Sequence, residues 1–398
     1  MAFSYIAEAL KQRHEQQLWR SRHCIDSAHG ALIEVDGQHY LNFSSNDYLG
    51  LRRSNVVAQA WIDGVSEYCG GSGASPLVSG YCKAHRELEE YLATALNRDK
   101  VLLFNSGFAA NQALCQALFG SAAEQLPNLI VADKLIHASF VDGAQGCHAQ
   151  FKRFRHNDTG HLRTLLASHA EKQPDSNILL ASESVFSMDG DRAPIAELQQ
   201  LAAQYQAWLM LDDAHGFGVL GQTGLGVCEL HQLSQQQCPV LMATFGKAIG
   251  TAGAFIAGSA ELIDYLVNFA RHYIYSTAMP AAQAHATLAS IKANVDPARR
   301  QLLEARINQF RQLASQAALP LAESDTAIQP ILLNNSAQAL VFSQRLRQLG
   351  IWASAIRYPT VPKGSDRIRI TLSAVHQERD IEALVDALSI AYAEVRHG

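Results

Sequence analysis

Pro239-Val240-Leu241-Met242-Ala243-Thr244-Phe245-Gly246-Lys247-Ala248-Ile249-Gly250 decides how the chain is read. Its first five residues are apolar enough for a buried parallel strand. The strand runs into a lysine set between glycines and preceded by a hydroxyl residue. Lysine amines react with carbonyl compounds once desolvation or a neighbouring charge has deprotonated them. Read alone, the stretch fits an ordinary solvated loop lysine better, so the remainder of the chain must decide.

The 398 residues are 48% hydrophobic and 17% charged. That composition predicts a large ordered core, in two domains or one large domain with a smaller one appended. A formal net charge of -5, with no block of lysine and arginine, argues against nucleic acid or an anionic membrane as a partner. No apolar run approaches the ~20 residues of a membrane-spanning helix, and residues 1–5 lack the features of a secretory signal. The seven cysteines are scattered, odd in number and without a CxxC pair. The expectation is a cytoplasmic protein with reduced thiols and no zinc site.

Outward from the lysine, the same local pattern recurs. Short apolar runs at 101–104, 129–132, 178–181, 208–211, 240–245 and 254–257 read as strands, several followed by helical periodicity. Strands alternating with helices predict an α/β fold with a doubly wound, mostly parallel sheet, whose ligand lies at the carboxyl ends of the strands. His137, Ser187, Asp212, His215, Thr244 and Lys247 all fall at those ends. Asn105-Ser106-Gly107-Phe108 joins a strand to a helix start, a natural anion site. Before this region, 4–20 reads as an amphipathic helix. Asp36-Gly37 reads as the turn of a hairpin, and the glycine-rich 70–80 segment as a loop. After it, 281–317 reads as one long helix. A small α+β unit with strands at 328–333, 351–356 and 367–372 closes the chain. The expected division is an N-terminal helix and hairpin arm (1–45), a large α/β domain (46–285) and a small C-terminal domain (286–398).

A lysine, a carboxylate and an anion-binding helix start are the parts that pyridoxal 5′-phosphate requires. The lysine holds the aldehyde, a carboxylate keeps the pyridine nitrogen protonated, and an aromatic or imidazole ring stacks on its face. Asp212 suits the nitrogen, with Asp213 beside it as competitor. His137 suits the stack, Ser187 and His215 the phenolic oxygen, and Thr244 the phosphate. No HExxH or comparable cluster suggests a metal.

With these residues in place, the chain resembles the fold-type I, pyridoxal-phosphate-dependent α-oxoamine synthases from end to end. The marks are Ser45–Gly50 (SNDYLG), Gly71–Gly73 with Val78–Tyr81, and Ser106–Asn111 (SGFAAN). They continue with His137–Ser139, Glu183–Asp191 (ESVFSMDGD), Asp212–Gly216 (DDAHG), Thr244–Lys247 and Tyr275–Thr277. The resemblance implies a seven-stranded sheet in the large domain and a homodimer with shared active sites. Lys247, His137 and Asp212 are the implied catalytic residues. Gly107, Phe108 and Thr244 are implied to take the phosphate, with Ser276 and Thr277 reaching across from a second subunit. Arg20, Asn46, His137, Arg357 and Thr360 are the implied substrate contacts.

Within the family, Ala355–Pro362 (AIRYPTVP), Arg367–Ser373 and Ile328-Gln329-Pro330 resemble the branch acting in biotin synthesis. Its reaction joins glycine to a pimeloyl thioester, on coenzyme A or acyl-carrier protein, with loss of CO2, giving 8-amino-7-oxononanoate. Tyr358, Phe217 and a slightly long 226–244 loop depart from the pattern, and Phe217 is expected to bear on the acyl pocket. Acyltransferases of the glycine C-acetyltransferase, 5-aminolevulinate synthase and serine palmitoyltransferase types stay open as alternatives. So does a pyridoxal phosphate aldolase or lyase.

Overall fold

The computed structural model describes residues 2–16, 18–120, 127–333 and 335–397. Fourteen strands form three sheets among them. In chain order they are β1 (Ser27–His29), β2 (Leu32–Val35), β3 (Gln38–Asn42), β4 (Lys100–Phe104), β5 (Asn128–Asp133), β6 (Gln150–Phe154) and β7 (Asn177–Glu183). Then come β8 (Trp208–Asp212), β9 (Val240–Thr244), β10 (Ala254–Gly258), β11 (Ile328–Leu332), β12 (Ile351–Trp352), β13 (Ser354–Ile356) and β14 (Arg367–Thr371).

The central sheet has seven strands in the order β4-β10-β9-β8-β7-β5-β6, with β10 antiparallel to both neighbours. Both faces are covered, so alternate residues of one strand enter different cores. On β5, Leu129 and Val131 pack with Leu92, Leu166 and Leu198, while Ile130 and Ala132 pack with Leu114 and Phe140. Six of the strands were legible as apolar runs. The edge strand β6 was not, because Lys152 and Arg153 break its hydrophobic pattern, as edge strands commonly do.

A separate core gathers Phe43, Tyr48, Leu49 and Leu51 with Phe310, Phe342, Ile368, Ile370 and Leu384. It is built on the sheet β11-β14-β13 and on helices Ala298–Gln316, Ser336–Gln348 and Glu378–His397. The N-terminal hairpin turns at Asp36 and Gly37, both at positive φ, which the Asp-Gly pair tolerates. Its last strand, β3, lies parallel to β12, so the first hairpin is completed by residues from the end of the chain. Segment 43–48 then runs along the small sheet: the Phe43 carbonyl accepts from Thr371 N (2.8 Å) and the Tyr48 carbonyl from Ala374 N (2.8 Å).

Several local expectations need correcting. The N-terminal helix spans only Tyr5–Glu15 and buries no residue; residue 17 of the expected 4–20 segment lies outside the described residues. The 70–80 segment contains a single wide turn over Pro76–Gly80. The expected 281–317 helix is two, Ala281–Ala293 and Ala298–Gln316, parted around Asp296-Pro297. The expected 351–356 strand serves two different sheets. Phe217 does not face an acyl pocket: it is 1% exposed, with its ring edge-on to Phe255 at 5.1 Å. No described helix is long and apolar enough to cross a membrane.

Because Phe217 fills the core, Phe217→Ala is expected to cost about 3–5 kcal/mol of stability, read by denaturant unfolding, with acyl-chain preference unmoved. A changed preference at wild-type stability would return Phe217 to the pocket.

Candidate active site

The carboxyl ends of β4, β5, β7, β8 and β9 form one rim, and each delivers a polar group. After β4, Ser106 caps helix Gly107–Leu118 by accepting from Ala109 N (3.1 Å). The Gly107 and Phe108 amides at the helix start have no intrahelical acceptor. A Cβ built on Gly107 would sit 3.9 Å from the Thr244 Cβ, so this anion site and the β9 end adjoin. The Thr244 hydroxyl donates to the Gly253 carbonyl at 2.8 Å.

After β5, His137 caps the next helix, Ala138–Gln145. Its Nδ1 accepts from Ser139 N (3.2 Å) and lies 2.7 Å from Ser139 Oγ. An accepting Nδ1 leaves the ring proton on Nε2. Asn111 Nδ2 donates both to Ser139 Oγ (3.0 Å) and to Asp212 Oδ2 (2.9 Å). One chain of hydrogen bonds therefore holds the imidazole and the β8 carboxylate. Burial lowers the His137 pKa, against an upward pull from Asp212 and a further downward push from Lys247.

The competition between adjacent aspartates is resolved by their partners. Asp213 is fully buried, accepting from Ser184 Oγ (2.5 Å) and Val227 N (2.8 Å), and burial holds its carboxyl well above the usual range. It faces the core. Asp212 turns to the rim, where Ala214 N (3.1 Å) and Asn111 hold it.

Lys247 Nζ is 2.8 Å from His215 Nε2, and His215 Nδ1 is 2.5 Å from the Tyr48 hydroxyl. With Lys247 donating, the Nδ1 proton goes to Tyr48, whose own hydroxyl reaches Asn46 Oδ1 at 3.3 Å. Burial lowers the Lys247 pKa to about 8, although Asp212 and Glu183 both pull it upward. Burial, with the Lys247 and Arg369 charges, keeps His215 neutral, and burial raises Tyr48 to about 12. Glu183 pairs in register with Asp212 across β7 and β8. Burial first, and Asp212 second, push its carboxyl well upward, and its Oε1 has no partner among the described residues. Arg369 donates to the Ser187 carbonyl (2.7 Å), to Thr371 Oγ1 (2.8 Å) and to Asn46 Oδ1 (3.2 Å).

A cavity of about 600 Å3 opens beside His137 and brings together Arg20, Ser187, Tyr358 and Thr360. Tyr358, not Phe217, is thus the sequence departure that lines it. Arg357 is half-buried immediately beyond β13. Ser276 and Thr277 lie elsewhere, on a narrow cleft with Tyr81 and His85, and the Thr277 carbonyl accepts from Asn105 Nδ2 (2.6 Å). Sequence reasoning did not single out Tyr48, Asn111, Ser139, Glu183 or Arg369. All five lay inside quoted motifs, but only contacts between distant segments show what they do. The glycines beside Lys247 also differ in purpose. Gly246 is uncrowded, whereas Gly250, at φ +73°, lets the turn pass against the backbone of Leu51 and Arg52.

The loop after β7 is anchored by His156, 3.0 Å from Asp133 Oδ1 and 2.8 Å from Asp191 Oδ2. Burial alone would lower its pKa, but these two hydrogen-bonded carboxylates outweigh it and raise the value to about 10. Arg367 secures the same loop through Asp189 (2.6 Å).

Residues 38–388 match the family described as aminotransferase class I and II. A relative from Aeromonas hydrophila, "8-amino-7-oxononanoate synthase", is 48% identical over 385 residues, covering 96% of this chain and 94% of its own length. Among solved structures, serine palmitoyltransferase from Sphingomonas wittichii superimposes with a TM-score of 0.92 at 23% identity, over 100% of this chain and 99% of that one, a likeness of fold. The 8-amino-7-oxononanoate synthase of Francisella tularensis gives a TM-score of 0.76 at 28% identity, over 89% and 98%. The chain belongs to the class I and II aminotransferase family, in its pyridoxal-phosphate-dependent α-oxoamine synthase branch. It is an enzyme, and its cofactor is pyridoxal 5′-phosphate. The donor set fits that cofactor. Two unpaired amides and a hydroxyl can receive a phosphate at a helix start, a rim carboxylate can receive the ring nitrogen, and a lysine of lowered pKa can receive the aldehyde.

Two measurements probe this electrostatic arrangement. His156 should keep its imidazolium NMR signature to about pH 9. Because its folded pKa lies above the unfolded value of about 6.5, the stabilisation is complete below that value and is lost as pH rises through about 10. A midpoint near 6.5 would refute the double pairing. In the apoprotein, competitive amine labelling should give Lys247 a pKa of about 8. Asp212→Asn should lower it further, since it removes an anion that holds the ammonium; an upward shift would contradict the geometry.

Proposed function

We propose that the chain catalyses the decarboxylative condensation of glycine with a pimeloyl thioester, carried on coenzyme A or acyl-carrier protein, to 8-amino-7-oxononanoate, CO2 and free thiol. One observation carries this reading. A half-buried lysine with a pKa near 8 shares its rim with Asp212 and His137, and His137 also lines the cavity that holds Arg20, Ser187 and Thr360. The 48% identical relative supports the choice of acyl group.

Bound pyridoxal 5′-phosphate supplies an electron sink for the α-carbon of an amino acid. The residues do the rest. Lys247 binds the aldehyde; released by glycine, its Nζ is neutral in a useful fraction near pH 8 and takes the α-proton, later returning one to the product. Asp212, fixed by Asn111, keeps the ring nitrogen protonated, and His215 and Ser187 face the phenolic oxygen. Gly107, Phe108 and Thr244 hold the phosphate. Arg357 takes the glycine carboxylate as a bidentate pair, with Asn46 beside it. His137 Nε2–H donates to the acyl carbonyl, while Arg20 and Thr360 hold the acyl side.

A homodimer completes the reading. Val78 and Tyr275 are 80% and 71% exposed and Phe108 is 44% exposed, large side chains that suit burial by a second copy. Ser276 and Thr277, beside Tyr275, then complete the partner's phosphate site. The chain divides into the arm (1–45), the cofactor domain (46–285) and the small domain (286–398), acting in the cytoplasm with all seven cysteines free.

Thiol release with glycine and a panel of acetyl, succinyl, pimeloyl and palmitoyl thioesters is expected to favour pimeloyl. Preference for any other acyl group sinks the substrate assignment. Lys247→Ala should abolish turnover and leave no cofactor fixed to the chain after borohydride reduction; persistent fixation would remove the lysine from its role.

A further inference from the structure

We propose that Lys134 and Arg153 bind the far carboxylate of a dicarboxylic acyl chain at the outer end of the His137 cavity, and so select it over an uncharged fatty acyl chain of equal length. The inference rests on the substrate reading above and assigns two residues that the reading leaves without a part.

Their placement comes from the edge of the central sheet. Lys134 directly follows β5, and Arg153 sits on β6 in register with Ala132. Both line the same cavity as His137. Lys134 lies three positions before His137, so their Cα atoms are no more than about 11 Å apart. The six carbon–carbon bonds of an extended heptanedioyl chain span about 7–8 Å. With the thioester carbonyl at His137, the far carboxylate therefore arrives within reach of a lysine or arginine side chain at these positions.

The charges around the cavity sort into committed and available ones. Arg367 is committed to Asp189, Arg369 to Ser187 and Asn46, and Arg155 to Asp158. Lys134 and Arg153 are exposed, and neither has an ion-pair partner among the described residues. Protection of an exposed edge explains a charge on β6, yet Lys152 already supplies one on the opposite face of the strand. It does not explain Lys134, which lies beyond the strand end. With Arg20, already given to the acyl side, Lys134 and Arg153 make three uncommitted cations on a cavity of about 600 Å3 whose lining carboxylates are Asp142 and Asp189, an excess of positive charge that suits a carboxylate.

The same cations also suit a phosphate of the thioester's carrier, so the test separates the two. Holoenzyme affinities, measured by calorimetry without glycine, are compared for pimeloyl- and heptanoyl-coenzyme A and for the corresponding pantetheine thioesters, which carry no phosphate. Lys134→Ala and Arg153→Ala are each expected to cut the pimeloyl-to-heptanoyl preference about three- to fivefold, and the double variant about tenfold, on both carriers. Lys134→Glu with Arg153→Glu should favour heptanoyl, which a general loss of structure would not do. Equal losses for both acyl groups that disappear on pantetheine would assign the pair to a carrier phosphate and overturn the inference. An unchanged preference in the double variant overturns it as well, while leaving the substrate reading intact. A wild-type enzyme indifferent to the two acyl groups refutes the substrate reading itself, and this inference with it.

Discussion

The hydrogen bond between Lys247 Nζ and His215 Nε2, extended through Tyr48 to Asn46, ties the reacting amine to a second core of the molecule. Lys247 and His215 ride on ends of the central sheet, whereas Tyr48 belongs to the core of the C-terminal unit. Tyr48 and His215 are buried, so each depends on the other to satisfy it; an unpaired polar group there would cost about 1–3 kcal/mol. The same burial depresses the lysine's pKa to about 8. Packing between the two cores and the basicity of the reacting amine thus have one origin.

Around that amine the structure separates carboxyl groups that look alike in sequence. Asp212 and Asp213 are neighbours, yet successive residues at a strand end face opposite ways, and their partners differ accordingly. Glu183, across the strand from Asp212, is pressed toward its neutral form by burial and by that neighbour. One carboxylate on the rim, one acid beneath it and one carboxyl sealed in the core make a graded field rather than a cluster of like charges.

What was legible in the sequence follows from what is local. Strands buried on both faces are continuous apolar runs, and six of the seven in the central sheet could be found that way. The rim residues followed, because a parallel sheet sends every such end to one side. β6 escaped, since an edge strand tolerates Lys152 and Arg153. The break at Asp296-Pro297 escaped because alanine-rich helical composition continues on either side. Asn111 and Ser139 were visible as letters but silent as a relay, since its bond from Asn111 to Asp212 spans 101 residues of chain. Phe217 was misjudged for the same reason: its position beside His215 suggested the pocket, and only the position of Phe255 shows that it points into the core.

The parallel pairing of β3 with β12 has a consequence for biosynthesis. The hairpin leaves the ribosome some three hundred residues before the strand that covers its open edge. Until then the edge offers unpaired backbone groups to any neighbouring chain. Contacts so distant in sequence also close slowly. The hairpin is therefore made long before it is finished, and in that interval its uncovered edge exposes the newborn chain to aggregation.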